Sequence, residues 1–357
     1  MPKATNRGPR GRAKVTDVAR AAGVSPATVS RVLNNPQIVR PTIQAKVRRA
    51  IVSLGFTPDA AARALKSRRS RTIGAVVPML GVAIFADGIG ALQGRLRDHG
   101  YTLLIANSEY DSEKELQEIS VLLDRGVDGV VLVGDAFAPG VRTLARRHEA
   151  SLVTTYVCKS RHRIPAVGID NAEVMYRVTQ YLIGLGHREF GIINDAAKRN
   201  DRTQARCNGV LKALKEGGMH LGESRIVKVT YSVANGRAGL RKLMDSDPEI
   251  TAVVCTSDAL AVGALAESKA LGLLVPRDLS ITGFDDIEIS AHTDPPLTTV
   301  NVPALDIGRL AADHVVALIA GLPVPMSSRL PARMVIRASC TAPRKATMQA
   351  RSVSNPA

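Results

Sequence analysis

Apolar residues along the chain follow two different periods. Over residues 17–36, DVARAAGVSPATVSRVLNNP, Val18, Ala19 and Ala22 stand at i, i+1 and i+4, and Val29, Val32 and Leu33 at i, i+3 and i+4. Each set makes one face of a short helix. Between them lies Gly23, which takes a left-handed turn without steric cost, then Ser25-Pro26, a favoured N-cap followed by a favoured first helical residue. Two short helices separated by three residues around a glycine predict a helix-turn-helix. Ile43, Val47, Ala50, Ile51 and Leu54 predict a third helix over about 42–54, ended by Gly55. From residue 72 short apolar runs alternate with helical patterns. Strands are expected over 73–77, 101–106, 127–133 and 152–155, and again over 189–194, 226–229, 252–255 and 279–283. Helices are expected near 84–98, 112–125 and 139–149, then near 171–184, 202–217, 233–245 and 258–271. Strand–helix alternation with short links means parallel sheets, and two such series mean two doubly wound α/β subdomains.

Charge separates the two regions further. The 357 residues carry a formal net charge of +16. Residues 1–71 hold sixteen Lys and Arg against two acids, Asp17 and Asp59, so nearly all the excess sits at the chain start. That distribution suits a small module facing a polyanion, joined to a near-neutral body. The hydrophobic fraction of 45% excludes a disordered chain. The longest apolar stretch, 73–86, is broken by Pro78 and Gly81 and is too short for a membrane helix. The basic N-terminus has no apolar h-region, so no secretory signal is expected and a cytoplasmic protein is. Cys158, Cys207, Cys255 and Cys340 lie far apart, as reduced buried thiols would.

In a helix-turn-helix the second helix enters the major groove with its N-terminal residues at the base edges. The outward positions are Pro26, Ala27, Ser30 and Arg31, and Arg31 is the side chain able to grip guanine bidentately. Ser25, Thr28 and Asn34 are small polar groups suited to phosphate oxygens. Next, Thr57-Pro58 opens a helix of barely two turns, too short to stand alone. Its one large apolar residue, Leu65, is either a wedge for the minor groove or a packing contact on the body.

The residues Asp17-Val18-Ala19, Ala22-Gly23-Val24-Ser25, Thr28 to Asn34, Gly55-Phe56-Thr57-Pro58 and Ala62-Arg63-Ala64-Leu65 resemble the lactose/galactose repressor family of bacterial transcription regulators, which includes the purine repressor. The resemblance continues to about residue 342. It implies a disordered basic arm over 1–13, a helix-turn-helix domain over 14–56, a hinge helix and linker over 57–71 and a periplasmic-binding-protein-like core over 72–342. It also implies that the hinge forms on operator DNA, with Ala62, Leu65 and Lys66 at the DNA and Leu65 wedged into the minor groove. The core's first lobe would span 72–166 plus 296–326 and its second 167–295 plus 327–342, leaving a flexible tail over 343–357. An effector would lie between the lobes, where parallel sheets present their C-terminal strand ends. Arg206 in RCNG, Asp285 in GFDD, Tyr231 and Phe85 match family effector positions, and Asn194 ends a strand. Ser257 stands where Asn is often found and Tyr156 where Asp or Asn is common, so the ligand cannot be copied from a relative. Lys14, Arg40 and Ile43-Gln44 also depart from the family pattern. The tail has no leucine heptad, which favours a homodimer.

Enzyme motifs are missing. No GxGxxG, P-loop, HExxH or GxSxG appears, so neither catalysis nor a metal or cofactor is expected. His187 in GLGHRE reads as a turn between helix and strand. The expected function is a sequence-specific DNA-binding regulator, a repressor, controlled by a small effector of the sugar class. A soluble sugar-binding protein is the alternative, and the basic helical module argues against it. An enzyme on a doubly wound fold and a nonspecific architectural DNA protein are weaker rivals. The charge asymmetry makes a prediction: log K for DNA should fall linearly with log salt, with a slope of about −0.9 per phosphate contact. Fluorescence anisotropy across a salt series checks it, and a salt-indifferent affinity would count against the basic module as the DNA-facing part.

Overall fold

The computed structural model describes residues 13–57, 69–197 and 199–344. It divides into two units, Met1–Ser70 and Arg71–Ala357. Residues 1–12 of the expected arm over 1–13, the hinge positions 58–68 with Ala62, Leu65 and Lys66, and the tail from 345 lie outside the described residues, whereas Ala13 packs on the core of the first unit.

The first unit contains α1 (Val15–Ala22), α2 (Pro26–Asn34) and α3 (Pro41–Leu54), with a 3-10 turn over Pro36–Ile38. Val18, Ala19, Ala22, Val29, Val32, Val47, Ala50 and Phe56 form its buried core, the faces that the spacing predicts. Gly23 ends α1 at φ 66°, and its N–H reaches back to the carbonyls of Ala19 and Arg20. Lys14 gives α1 no side-chain cap; the Asp17 carboxylate accepts from the Lys14 N–H instead, at 2.9 Å. Gln44 has a structural task, since its amide donates to the carbonyls of Pro36 and Val39, both at 2.8 Å, and ties the loop to α3.

The second unit is built on two parallel sheets. The larger contains β1 (Thr72–Val77), β2 (Thr102–Asn107), β3 (Gly129–Val133), β4 (Ser151–Thr155), β5 (Ala166–Gly168) and β11 (Ser327–Arg329), in the order β11-β5-β4-β3-β1-β2. The smaller contains β6 (Phe190–Asp195), β7 (Ile226–Val229), β8 (Ala252–Cys255) and β9 (Ser280–Thr282), in the order β7-β6-β8-β9. An antiparallel pair, β10 (Thr299–Asn301) with β12 (Arg333–Val335), continues from the smaller sheet through bridges between Thr282 and Thr298 and between Asp285 and Asn301. Helices α4 (Ala83–Asp98), α5 (Ser112–Asp124), α6 (Val141–Arg147) and α11 (Ala304–Ile319) belong to lobe one. Lobe two holds α7 (Asn171–Gly184), α8 (Asp201–Glu216), α9 (Val233–Ser246) and α10 (Asp258–Ala270).

Two expectations need correction. Ser327–Arg329, expected in lobe two, pairs in parallel with Ala166–Gly168 in the sheet of lobe one. Residues 299–301, expected in lobe one, run with lobe two. The chain therefore crosses between lobes at 168–171, 302–304 and 329–333. The sequence pattern assigns no element to β5, β10, β11 or β12, each only three residues long, nor to α11. His187 lies in the expected helix-to-strand connection, but it is buried. Its ring contacts Thr251 Oγ1 at 2.9 Å, Ser280 Oγ at 3.0 Å and the Thr341 carbonyl at 2.9 Å. Burial holds its pKa below the ordinary histidine value, keeping it a neutral bridge to the segment that follows β12.

Three helix pairs cross at glycine. A Cβ on Gly308 of α11 would overlap the Gly88 carbonyl oxygen on α4; one on Gly209 of α8 would overlap the Ala172 carbonyl oxygen on α7. On Gly236 and Gly263 it would overlap the backbones of α10 and α9 respectively. The backbones thus meet directly, as in other small-residue crossings. Gly308→Ala should cost about 1–3 kcal/mol through overpacking. Each kcal/mol should lower the core's melting temperature by about 2–4 °C. Gly90→Ala on the open side of α4, where an added Cβ meets nothing within 4 Å, should hold or raise it. Scanning calorimetry of the two variants checks the contrast.

Candidate functional site

On the first unit, α2 begins with Ser25 as its N-cap. The Ser25 Oγ accepts from the Thr28 N–H at 3.1 Å and contacts Thr28 Oγ1 at 2.9 Å. Pro26 fills the first helical position. Val29 and Val32 turn inward, which leaves Ser25, Pro26, Ala27 and Arg31 exposed and Thr28 and Ser30 half-buried. Asn34 is the last residue of α2. The exposed face is therefore the N-terminal one that a groove-reading helix needs.

On the second unit, the first turn of α8 is fastened to the end of β3. The Asp201 carboxylate accepts from the Asp135 N–H at 2.7 Å, Arg202 Nη1 donates to the Val133 carbonyl at 3.2 Å, and the Arg199 guanidinium donates to the Ala136 carbonyl. Gly134, at φ 83°, makes this approach feasible, because a Cβ there would overlap the side chains of Arg202 and Asp201. Tyr110, just past β2, joins the fastening: its hydroxyl accepts from Arg202 Nη2 at 3.1 Å and Asn200 Nδ2 at 3.0 Å.

Behind this latch lies a narrow, largely closed cavity. Phe85, Tyr156, Arg206, Tyr231, Ser257 and Asp285 line it together with Tyr110, Asp195, Asn200 and Arg202. Arg206 is buried, with Nε donating to Asn171 Oδ1 at 2.9 Å and Nη1 to the Thr256 carbonyl at 2.8 Å. Its guanidinium carbon lies 3.6 Å from the centroid of Phe284. Nη2 stands 3.7 Å from Asp285 Oδ1, beyond hydrogen-bond reach, so each group keeps capacity for a ligand. Asp285 sits at φ 122°, a conformation that disfavours side chains, and its N–H is tied to the Val300 carbonyl at 3.0 Å. Ser257 Oγ is buried with no partner among the described residues. Asp258, next in sequence, accepts from Ser290 Oγ at 2.6 Å, Thr299 Oγ1 at 2.5 Å and the Ile287 N–H at 3.0 Å, and so secures the loop that carries Asp285.

A family model for the periplasmic binding protein-like domain matches residues 179–340, and one for bacterial regulatory proteins of the lacI family matches residues 14–59. The chain is 32% identical over 331 residues to the HTH-type transcriptional repressor CytR of Escherichia coli strain K12, covering 92% of this chain and 97% of that one. The chain belongs to the LacI family. The ribose operon repressor of Haemophilus influenzae is 34% identical over 302 residues, covering 84% of this chain and 90% of its own length. Among solved structures, a complex of the transcriptional regulator CelR with cellobiose superposes with a TM-score of 0.69 at 28% identity, covering 92% of this chain and all of that one. This LacI-family chain is thus a DNA-binding transcriptional regulator with a helix-turn-helix head and a two-lobed α/β core.

Of the seven positions expected at the effector, six line the cavity. The exception is Asn194, which opens to the outer cleft on the other side of the latch, with Lys159, Arg161 and Lys228. Asp195, the next residue and the last of β6, borders both the outer cleft and the inner cavity. Tyr156 contributes its ring, since its hydroxyl is turned to the Ile84 carbonyl at 2.8 Å. Tyr110, Asn200 and Arg202 are among the lining residues that the sequence did not place there. One local signal existed: Arg202 and Arg206 lie four apart on one face of α8. No described helix is long and apolar enough to cross a membrane, and the described residues hold no cluster of three metal-ligating side chains.

Burial pushes the Asp285 carboxyl up to about 7, with Arg206 opposing and Asp258 adding to the rise. Between about pH 4 and 7 the folded protein therefore holds a proton that the unfolded chain releases. Stability contributed by this group falls as pH rises through that window and is level above it. Asp285→Asn should flatten the corresponding slope of melting temperature against pH, measured from pH 5 to 8 without added ligand.

Proposed function

We propose that the chain is a cytoplasmic, homodimeric repressor that binds a near-palindromic operator and whose DNA affinity is set by a small molecule of the sugar class held between the lobes. In this reading Ser25, Pro26, Ala27, Thr28, Ser30, Arg31 and Asn34 meet one half-site, while Ala62, Leu65 and Lys66 meet the minor groove between half-sites. Phe85, Tyr156, Arg206, Tyr231, Ser257 and Asp285 hold the effector, and Asn194 borders its entrance. The observation that carries the reading is the unspent capacity of Arg206 and Asp285, buried side by side without a hydrogen bond between them, on a chain whose recognition helix leaves its N-terminal residues exposed. The cellobiose in the CelR complex and the ribose operon repressor's name support the sugar class.

Coupling requires the effector to prefer one arrangement of the lobes. The latch between α8 and β3 is the contact that such a preference would strengthen or relieve. A selection from random duplexes, followed by anisotropy on the enriched sequence, tests the DNA half of the reading. Arg31→Ala should cost about 1–3 kcal/mol on that sequence and relax the preference at one base pair of each half-site. Equal binding of all duplexes by the parent protein would overturn the reading.

A further inference from the structure

The boundary between the two units falls between Ser70 and Arg71. Arg71 is therefore the first residue of the core, and the covalent path from core to head runs through it. Its backbone is left-handed, at φ 54°, a conformation that a residue with a side chain keeps only where its surroundings impose it. The Arg71 N–H donates to Asp128 Oδ2 at 2.9 Å, and the Arg71 carbonyl accepts from the Thr102 N–H at 2.9 Å. The guanidinium lies against Gly100, where a Cβ would stand 3.0 Å from Nη1.

The chain enters the neighbouring strands of lobe one differently. It reaches β2, β3 and β4 from helix ends that hold it locally. The Tyr101 N–H returns to the Leu96 carbonyl at 2.9 Å, the Val127 N–H to the Leu122 carbonyl at 3.3 Å and the Ala150 N–H to the Ala145 carbonyl at 2.9 Å. At β1 the entering chain is gripped instead by a carboxylate 57 positions further along the sequence. That carboxylate belongs to the residue immediately before β3. Asp128 is half-buried, its N–H donates to the Thr72 carbonyl at 2.8 Å and its carbonyl accepts from the Ser151 N–H at 3.1 Å, so it is fixed to the starts of β1 and β4 as well. The five residues of β3 span about 16 Å. At the far end stands Val133, whose carbonyl receives Arg202 of the latch. One largely buried strand thus has the latch between the lobes at one end and the grip on the linker at the other.

We propose that Asp128 is a positioning residue for operator binding: its carboxylate sets the direction in which the linker leaves lobe one and ties that direction to β3. This rests on the operator reading above and adds to it a residue outside both the recognition helix and the cavity lining. Specific binding needs two heads presented to two half-sites at once, which a freely pointing linker disfavours. Nonspecific binding needs only phosphate contacts and tolerates such a linker.

Anisotropy on the full chain should compare the duplex enriched by selection with an unrelated duplex of equal length. Asp128→Ala should weaken binding to the enriched duplex about tenfold and to the unrelated one less than about twofold. Asp128→Asn, whose amide oxygen can still accept from the Arg71 N–H, should stay within about threefold of the parent on both. Arg71→Pro removes the N–H from the other side and should reproduce the Asp128→Ala loss, with the double variant no worse than either single one. Arg71→Ala keeps the N–H and should leave the ratio of the two affinities at the parent's value, which separates the grip from a direct guanidinium contact with DNA. A merely structural role would lower the melting temperature of Asp128→Ala without moving that ratio. Asp128→Ala with the parent's ratio, or losses that simply add in the double variant, would overturn the proposal. A parent protein that prefers no duplex removes the operator reading itself, and this proposal with it.

Discussion

The two lobes of the core are joined at a short stretch of backbone at the end of β3. The carbonyls of Val133 and Ala136 and the N–H of Asp135 lie just past the paired part of the sheet, and Arg202 and Asp201 of α8, with Arg199 just before it, satisfy them. These are charge-assisted contacts, stronger than their neutral equivalents. They join two lobes that otherwise have separate sheets. They also split the space between the lobes in two, an inner cavity with Arg206 and Asp285 and an outer cleft that carries Asn194. Gly134 is the enabling residue, since any side chain at that point would push the helix away.

The inner cavity concentrates the unusual electrostatics of the molecule. Arg206 is held rigidly by Asn171 and the Thr256 carbonyl, yet its companion Asp285 is too far for a hydrogen bond. Burial without a donor is what raises the Asp285 carboxyl. A buried acid in a strained backbone conformation costs stability, and such costs gather where a protein meets its ligand. Nearby, Asp258 is equally buried but receives three hydrogen bonds. The same residue type in neighbouring positions thus serves as loop anchor in one case and as open acceptor in the other.

The fold was legible where periodicity is strong. Val29 and Val32 fix the inward face of α2, and the apolar runs of β1, β3, β6 and β8 lie where expected. Three-residue strands carry too little pattern to be seen, so β11 and β10 fell on the wrong sides of the lobe divisions. Arg206, Asp285 and Phe85 could be named from a family resemblance. Tyr110, Asn200 and Arg202 could not, because they meet only after two lobes have folded and closed on one another. Asn194 and Asp195 show the limit of strand-end reasoning. Both lie at the end of β6 and border the outer cleft, and only the packing of the two lobes decides that Asp195 also reaches the inner cavity.

The glycine crossings set the mechanics of the core. At Gly88 with Gly308, at Gly209, and at Gly236 with Gly263, helix backbones touch with no side chain between them that could rearrange. The paired helices are thereby locked to one another within each lobe, and the chain passes between lobes only at 168–171, 302–304 and 329–333 among the described residues. A helix seated backbone to backbone on its neighbour has little room to slide along it, so α8 and α7 behave as one piece where Gly209 meets Ala172.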